Sequence, residues 1–354
     1  MSEIKKIPNE LGISFDYGSF IIIRPRFNYR MSGSVVIIKG ENPVIIDTGF
    51  PVIGISTIER AFIKFRVEKN SVSHILITHA HPDHSMNLFR LKKLCKKAKV
   101  ICHKNELHDI QHVAQVSRTF KQNFDMADSR FLNAVNRFLG PFSRLFIYIL
   151  TFYPRIDYLV TQDFRNEEFS LEKCPKIRAG DKILTIIPTI GHSVGHISIL
   201  DDEGNLFLGD FVPFTPWINP EAQALDDIIQ SIQNILQIDN EAKVKLAVRS
   251  HGDIRRDGHW ETSTWIDEKH RFQLFLETIN TSLQRIPQLL KDKTLNVQEI
   301  TVKLRSNKKK YSTFLERFSF NPNLTWTYVY CLKLEKMQKI KRIVKNRKLF
   351  WTIF

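Results

Sequence analysis

The sequence predicts an α/β protein, and three observations carry that reading. Short β-branched runs alternate with segments of helical spacing over the first hundred residues. Strands resume after a helical, aromatic interval. Several of them run into a histidine or aspartate flanked by glycine. In chain order, SFIIIRPRF (19–27), SVVIIKG (34–40) and NPVIIDTG (42–49) read as a strand meander ending on an acidic turn. Residues 53–65 carry apolar positions at helical spacing, and SVSHILIT (71–78) returns to a strand. MNLFRLKKLCKKA (86–98) reads as a basic amphipathic helix, followed by the strand KVICH (99–103).

From about Glu106 to Phe169 the spacing turns helical and dense in aromatics, among them Phe120, Phe124, Phe131, Phe138, Phe142, Phe146 and Phe152. Gly140-Pro141 divides that stretch in two. Strands are expected again at 181–189, 196–200, 205–210 and 245–251, with a helix at about 221–236. The expected organisation is a catalytic domain over 1–265, carrying the Phe-rich insertion at 106–169, and a small basic α+β domain over 266–354.

With 43% hydrophobic and 25% charged residues over 354 positions, the chain has the composition of a folded globular protein, not a disordered one. The first residues, MSEIKKIPNELG, lack the apolar core of a signal peptide, and the longest apolar-aromatic run, LFIYILTFY (145–153), is too short to span a bilayer. A cytoplasmic location is the expectation. Four cysteines (Cys95, Cys102, Cys174, Cys331) stand without CxxC spacing, which argues against a disulfide framework or a thiolate zinc site and for buried thiols. The net charge of +15 is concentrated late: residues 271–354 hold 18 lysines and arginines against 5 acids. That tail would suit nucleic acid or an anionic surface, or serve as a solvated face.

The densest chemistry is HAHPDH at 79–84, three histidines and an aspartate directly after an apolar strand. In a loop at a strand's end, His79 and His81 can face one side while Asp83 and His84 face the other, so that two metal sites share one loop. Imidazole and carboxylate suit zinc and related divalent ions. Three residues downstream complete the pattern: His192 in PTIGHSVGH, Asp210 in LFLGD and His251 in VRSHGD. Together these offer five histidines and two carboxylates, enough for two metals bridged by a carboxylate.

In order, IIDTG (45–49), THAHPDH (78–84), GHSVGHIS (191–198), FLGD (207–210) and SHGD (250–253) resemble the motifs of the metallo-β-lactamase superfamily. The resemblance covers roughly residues 15–260 and implies a four-layer αββα sandwich with the site at one edge of two sheets. It places His79, His81 and His192 on one metal and Asp83, His84 and His251 on the other, with Asp210 between them. It makes Asp47 a hydrogen-bonding support for the ligand loop and gives His196 a supporting role. Two divalent ions are implied, Zn2+ first, with iron or manganese as alternatives, and a metal-bridging hydroxide as nucleophile. Asp83 is the candidate to orient that nucleophile and hand a proton to the leaving group.

GHSVGHIS resembles the GHTPGHxS form of glyoxalase II-like thioesterases and lactonases, so hydrolysis of a carboxylic ester, thioester or lactone leads. Val194 replaces the usual proline, and Phe211 and Phe214 stand where lactonases often carry a tyrosine. A cap lined by Phe131, Phe138, Phe142 and Phe146 would favour a lipophilic small molecule; the same aromatics could equally pack the cap's own core or a homo-oligomer interface. The tail, with a helix and β-wing ending on Trp351, resembles the small winged-helix domain of a branch that includes an endoribonuclease, which makes RNA phosphodiester cleavage the alternative. A metal-binding protein without activity is the third reading. His74, His103, His108 and His112 read as surface or packing residues, and His259 as a residue that could line the cleft.

Overall fold

The structure, a computed structural model, describes residues 5–9, 12–25, 33–49, 53–111, 155–165, 167–213, 223–240, 242–251, 262–304, 322–345 and 348–354. The central part of the predicted Phe-rich insertion, with Phe131, Phe138, Phe142 and Phe146, lies outside these residues, as do His112, Phe214 and His259.

The first sheet has eight strands in sequence order: β1 (Lys5–Asn9), β2 (Gly12–Asp16), β3 (Phe20–Pro25), β4 (Val35–Ile38), β5 (Val44–Ile46), β6 (His74–Leu76), β7 (Lys99–His103) and β8 (Tyr158–Val160). β1 to β5 pair antiparallel through short connections; β5 to β8 pair parallel, and α1 (Ile53–Lys64) supplies the crossover from β5 to β6, α2 (Pro82–Ser85) and α3 (Leu88–Leu94) that from β6 to β7. A short helix α4 (Leu107–Gln111) follows β7. The second sheet has six strands in the order β14 (Thr262–Thr264), β13 (Leu246–Arg249), β12 (Asn205–Gly209), β11 (Ile197–Asp201), β10 (Lys182–Pro188), β9 (Lys176–Ala179), with β12 and β13 parallel.

Strand alternation sorts side chains into layers. Phe20, Ile22, Val36 and Ile38 face the second sheet and pack on Ile186, Ile197, Ile199, Phe207 and Val248, while Ile21, Ile23, Val35 and Ile37 face outward onto Ile58, Phe62 and Leu91 of the helices. Across the inner core the rings of Phe20 and Phe207 meet edge to face at 5.2 Å between centroids. The second sheet repeats the logic: Ile187, Leu200, Leu206, Leu208 and Ala247 face away from the first sheet toward α5 (Ala224–Gln237) and α6 (Trp265–Leu289). Helices, sheet, sheet, helices is the four-layer order the motifs implied. Because both faces of β4 and β5 are buried, these strands read VVII and VII without alternation.

The chain after 265 continues this core. α6 is capped by Thr264, whose hydroxyl accepts the Asp267 N–H at 3.2 Å. α7 (Val297–Leu304) and α8 (Pro322–Lys336) pack on it, and a hairpin of β15 (Ile340–Lys345) and β16 (Lys348–Ile353) follows. Trp351 is buried and bonds through its backbone to Leu295. Phe272, Phe275, Trp326, Val329 and Trp351 lie in the same apolar cluster as Leu206, Ile228 and Ala247. At roughly 1.5–3 kcal/mol for each large apolar side chain buried, this shared layer is a substantial part of the stability.

Two local expectations change. The basic helix predicted over 86–98 is shorter, Leu88–Leu94, because the backbone leaves helical geometry at Cys95, and a separate single turn opens at Pro82 inside the histidine motif. The strand predicted over 71–78 pairs only at His74–Leu76, leaving the following residues free to turn toward the site. All four cysteines are buried free thiols, as their spacing suggested. Among the described residues no helix is long and apolar enough to cross a membrane.

Candidate metal centre

Three parallel neighbours, β5, β6 and β7, end on the same side of the first sheet, with Ile46, Leu76 and Ile101 in register. Just beyond those ends stand Asp47, the segment Thr78–His84 and Glu106. The parallel pair β12 and β13 does the same in the second sheet, delivering Asp210 and His251. The β10–β11 connection brings in His192. Two backbone bonds lock the sheets together at this edge: Ser34 N–H to the Ser250 carbonyl at 2.9 Å and Ile197 N–H to the Thr78 carbonyl at 3.0 Å.

The seven predicted donors converge. One donor atom each from His79, His81, His192 and Asp210 lies within 4.8 Å of the others, and the same holds for Asp83, His84 and His251. In the first group His79 Nε2 is 2.8 Å from His81 Nδ1, and His192 Nε2 is 3.2 and 3.0 Å from those two atoms. Asp210 stands between the groups, its Oδ2 3.6 Å from His192 Nε2 and 3.3 Å from His251 Nε2, its Oδ1 3.5 Å from His84 Nε2. Asp83 Oδ2 is 3.0 Å from His251 Nε2 and accepts the Gly33 N–H at 2.9 Å. Asp83 and His84 sit on the single turn α2, not on an extended loop; Asp83 reaches His251, while the His84 ring lies against that of His79 with 4.1 Å between centroids.

Asp47 sits at φ 61°, in the left-handed region that aspartate and asparagine enter more readily than other non-glycine residues. Its carboxylate takes the Thr78 N–H and hydroxyl and, at 2.7 Å, the His84 Nδ1–H, leaving His84 Nε2 turned to the carboxylates. His196 is also buried: Nδ1 meets the Thr189 hydroxyl at 2.8 Å, and Nε2 accepts the Asp210 N–H at 3.1 Å. It holds the backbone of Asp210 and is not a member of either donor group. His103 is buried and caps a short turn, His74 is half-buried, and His108 is exposed.

The electrostatics divide the two groups. Burial, reinforced by neighbouring imidazoles, holds His79 well below its ordinary range, and burial also lowers His81. These rings are neutral and present lone pairs. Burial opposes charge at His84 and His251 as well, but the carboxylates outweigh it: Asp83, Asp210 and Asp47 raise His84, and Asp210 and Asp83 push His251 up to about 10. Asp83 and Asp210, despite burial, are held well below the usual carboxylate range by His84 and His251. The site therefore draws positive charge into itself.

These residues fit divalent metal. Asp210 Oδ1 is buried with no hydrogen-bond partner among the described residues, an arrangement that is costly unless a cation answers it. The three converging nitrogens are spaced as ligands of one tetrahedral ion, for which about 3.3 Å is expected from Zn–N bonds of about 2.0–2.1 Å.

Sequence reasoning missed Thr78, Gly33 and Glu106. The first two act through backbone or hydroxyl groups that carry no residue-type signal, but Glu106 could have been suspected as an acid just past the strand next to the ligand strand.

A two-sheet αββα architecture with an imidazole and carboxylate cluster at the sheet edge defines a class of metal-binding hydrolase folds. The family model of the metallo-beta-lactamase superfamily matches residues 29–263, and the chain belongs to that superfamily, whose members are metal-dependent hydrolases. Solved structures agree on the fold. A metallo-beta-lactamase family protein from Thermus thermophilus is 15% identical with a TM-score of 0.58, covering 99% of this chain and 98% of its own. A beta-lactamase domain protein from Burkholderia ambifaria is 15% identical with a TM-score of 0.66, over 98% and 95%. A metallo-beta-lactamase from Cronobacter sakazakii is 16% identical with a TM-score of 0.51, over 76% and 93%. The first two extend through the C-terminal helices. No curated protein matches the chain.

Proposed function

We propose that this chain is a dinuclear metal-dependent hydrolase acting on a carboxylic ester, thioester or lactone. In this reading His79, His81 and His192 hold one metal, Asp83, His84 and His251 the second, and Asp210 lies between both. Zn2+ suits the donor set best, with iron or manganese as alternatives. When bound, the two ions supply Lewis acidity and lower the pKa of water from 15.7 to about 7. The protein supplies the rest. Asp83, fixed by the Gly33 N–H, orients the attacking water and passes its proton toward the leaving group. Asp47 and His196 hold His84 and Asp210 in place.

What supports the substrate class is the segment that carries His192: GHSVGHIS (191–198) resembles the GHTPGHxS form of glyoxalase II-like thioesterases and lactonases. Behind His192 and Asp210 the buried side chains of Phe211, Ile228, Phe272 and Trp326 pack as part of the core and leave only a small gap. An endoribonuclease is the second reading, favoured by the hairpin that exposes Lys341, Arg342 and Lys345 in the manner of a basic wing. The separating experiment assays metal-loaded protein on aryl esters, acyl thioesters and single-stranded RNA, with elemental analysis of metal per chain. Two metals per chain, ester or thioester turnover lost in Asp83→Ala, and intact RNA are expected. Cleaved RNA with untouched esters selects the second reading, and a protein that takes up no metal removes both.

A further inference from the structure

Glu106 is almost completely buried, yet no ion pair accounts for it among the described residues. Its carboxylate instead takes three hydrogen bonds from two separate segments. Oε2 accepts the Ala80 N–H at 2.7 Å, between His79 and His81. Oε1 accepts the Ser193 hydroxyl at 2.7 Å and the Gly195 N–H at 2.6 Å, just beyond His192. Three donors and no acceptor suit the ionised form, although burial by itself pushes the carboxyl up. The neighbouring Asn105 adds a bond from its side-chain amide to the Val194 carbonyl at 3.1 Å.

We propose that Glu106 is a positioning residue that sets the separation of the two loops carrying His79, His81 and His192, and so tunes metal retention at that group. A second observation points the same way. A Cβ at Gly195 would stand 2.6 Å from His103 Nδ1, 3.0 Å from Glu106 Cγ and 3.1 Å from Asn105 Cβ. The β10–β11 loop thus lies directly against the strut, with no space between. This also accounts for Val194: the segment 103–106 fixes a loop that lacks the proline common at that position. Because the 3-10 turn Lys104–Glu106, between β7 and α4, presents Glu106 and contributes no metal donor, the strut acts from outside the cluster.

The inference rests on the proposed metal site, and the experiment separates the two. Metal affinity and stoichiometry are measured by chelator competition with Zn2+ for the full chain, Glu106→Gln and Asn105→Ala, and the Co2+ absorption spectrum reports ligand geometry. In Glu106→Gln one side-chain oxygen becomes an NH2 that faces backbone or hydroxyl donors, so a loss of Zn2+ affinity of about 10–100-fold is expected, with an altered Co2+ spectrum. Asn105→Ala is expected to lose a smaller factor in the same direction. A merely structural role would lower thermal stability equally with and without Zn2+ and leave the affinity unchanged, and that result overturns the proposal. Should Glu106→Gln not fold, Asn105→Ala decides alone, wild-type affinity counting against the strut. If the unaltered protein binds no Zn2+, it is the metal site that fails.

Discussion

Arg249 and Glu268 form a buried ion pair between the strand that leads to His251 and the first turn of α6. Arg249 Nη2 and Nε donate to Glu268 Oε2 at 2.7 and 3.1 Å, and the Ser263 hydroxyl donates to the same oxygen at 2.8 Å. His251 lies two residues beyond Arg249, so the C-terminal helices anchor a residue of the metal cluster. Removing Glu268 would strand a guanidinium in the interior. Glu268→Ala is expected to cost about 3–5 kcal/mol, read as a lower urea midpoint, whereas replacing both partners by leucine and methionine should cost much less. Equal losses in the single and double variants would show that the pair does not act as a unit.

Asp47 is the hinge of the second donor group. In Asp47→Asn an amide NH2 replaces one acceptor and must face either the His84 Nδ1–H or the Thr78 donors. We expect metal affinity to fall about 10–100-fold with the fold intact, measured as metal retained after gel filtration against a weak chelator. Wild-type retention would remove Asp47 from the set of residues that orient His84.

Gly191 is where α5 touches the His192 loop. Its φ is +134°, and a Cβ there would meet Ile228 Cγ1 at 2.2 Å and the Ile228 backbone nitrogen at 2.9 Å. Gly191→Ala is expected to destabilise by about 1–3 kcal/mol and to displace His192. Adding Ile228→Ala should recover only part, because the backbone clash persists; circular dichroism melts of the three variants measure this.

The thiols should be inert. Burial pushes Cys95 and Cys102 up to about 12 and Cys331 higher still, and Cys174 is buried. Native protein at pH 8 is expected to take up no iodoacetamide over an hour, and four adducts after unfolding in guanidinium, counted by mass spectrometry. Rapid labelling of the native form would mean that one of these sites opens.

The sheets were legible because strands buried on both faces read as short, continuous β-branched runs: Phe20 and Ile22 face one layer, Ile21 and Ile23 the other, and all four are apolar. The seven donors were legible because imidazole and carboxylate clusters are rare enough to stand out, and the structure brings those seven together. What escaped was carried by backbone groups or by distance. Gly33 serves through its N–H, Thr78 through a hydroxyl, and Glu106 through contacts with residues 26 and 89 positions away. The joining of the C-terminal helices to the second sheet escaped for the same reason, since Trp326 packing near Ile228 leaves no local pattern.

The parallel pairings have a kinetic consequence. His84 and His251, whose Nε2 atoms stand 3.4 Å apart, are 167 positions apart in the chain, and the strands that present them pair only after long crossovers close. Such closures slow folding. Completion of the donor cluster therefore waits on the docking of one sheet upon the other, and the seven side chains come together no earlier than the slowest of these long-range contacts.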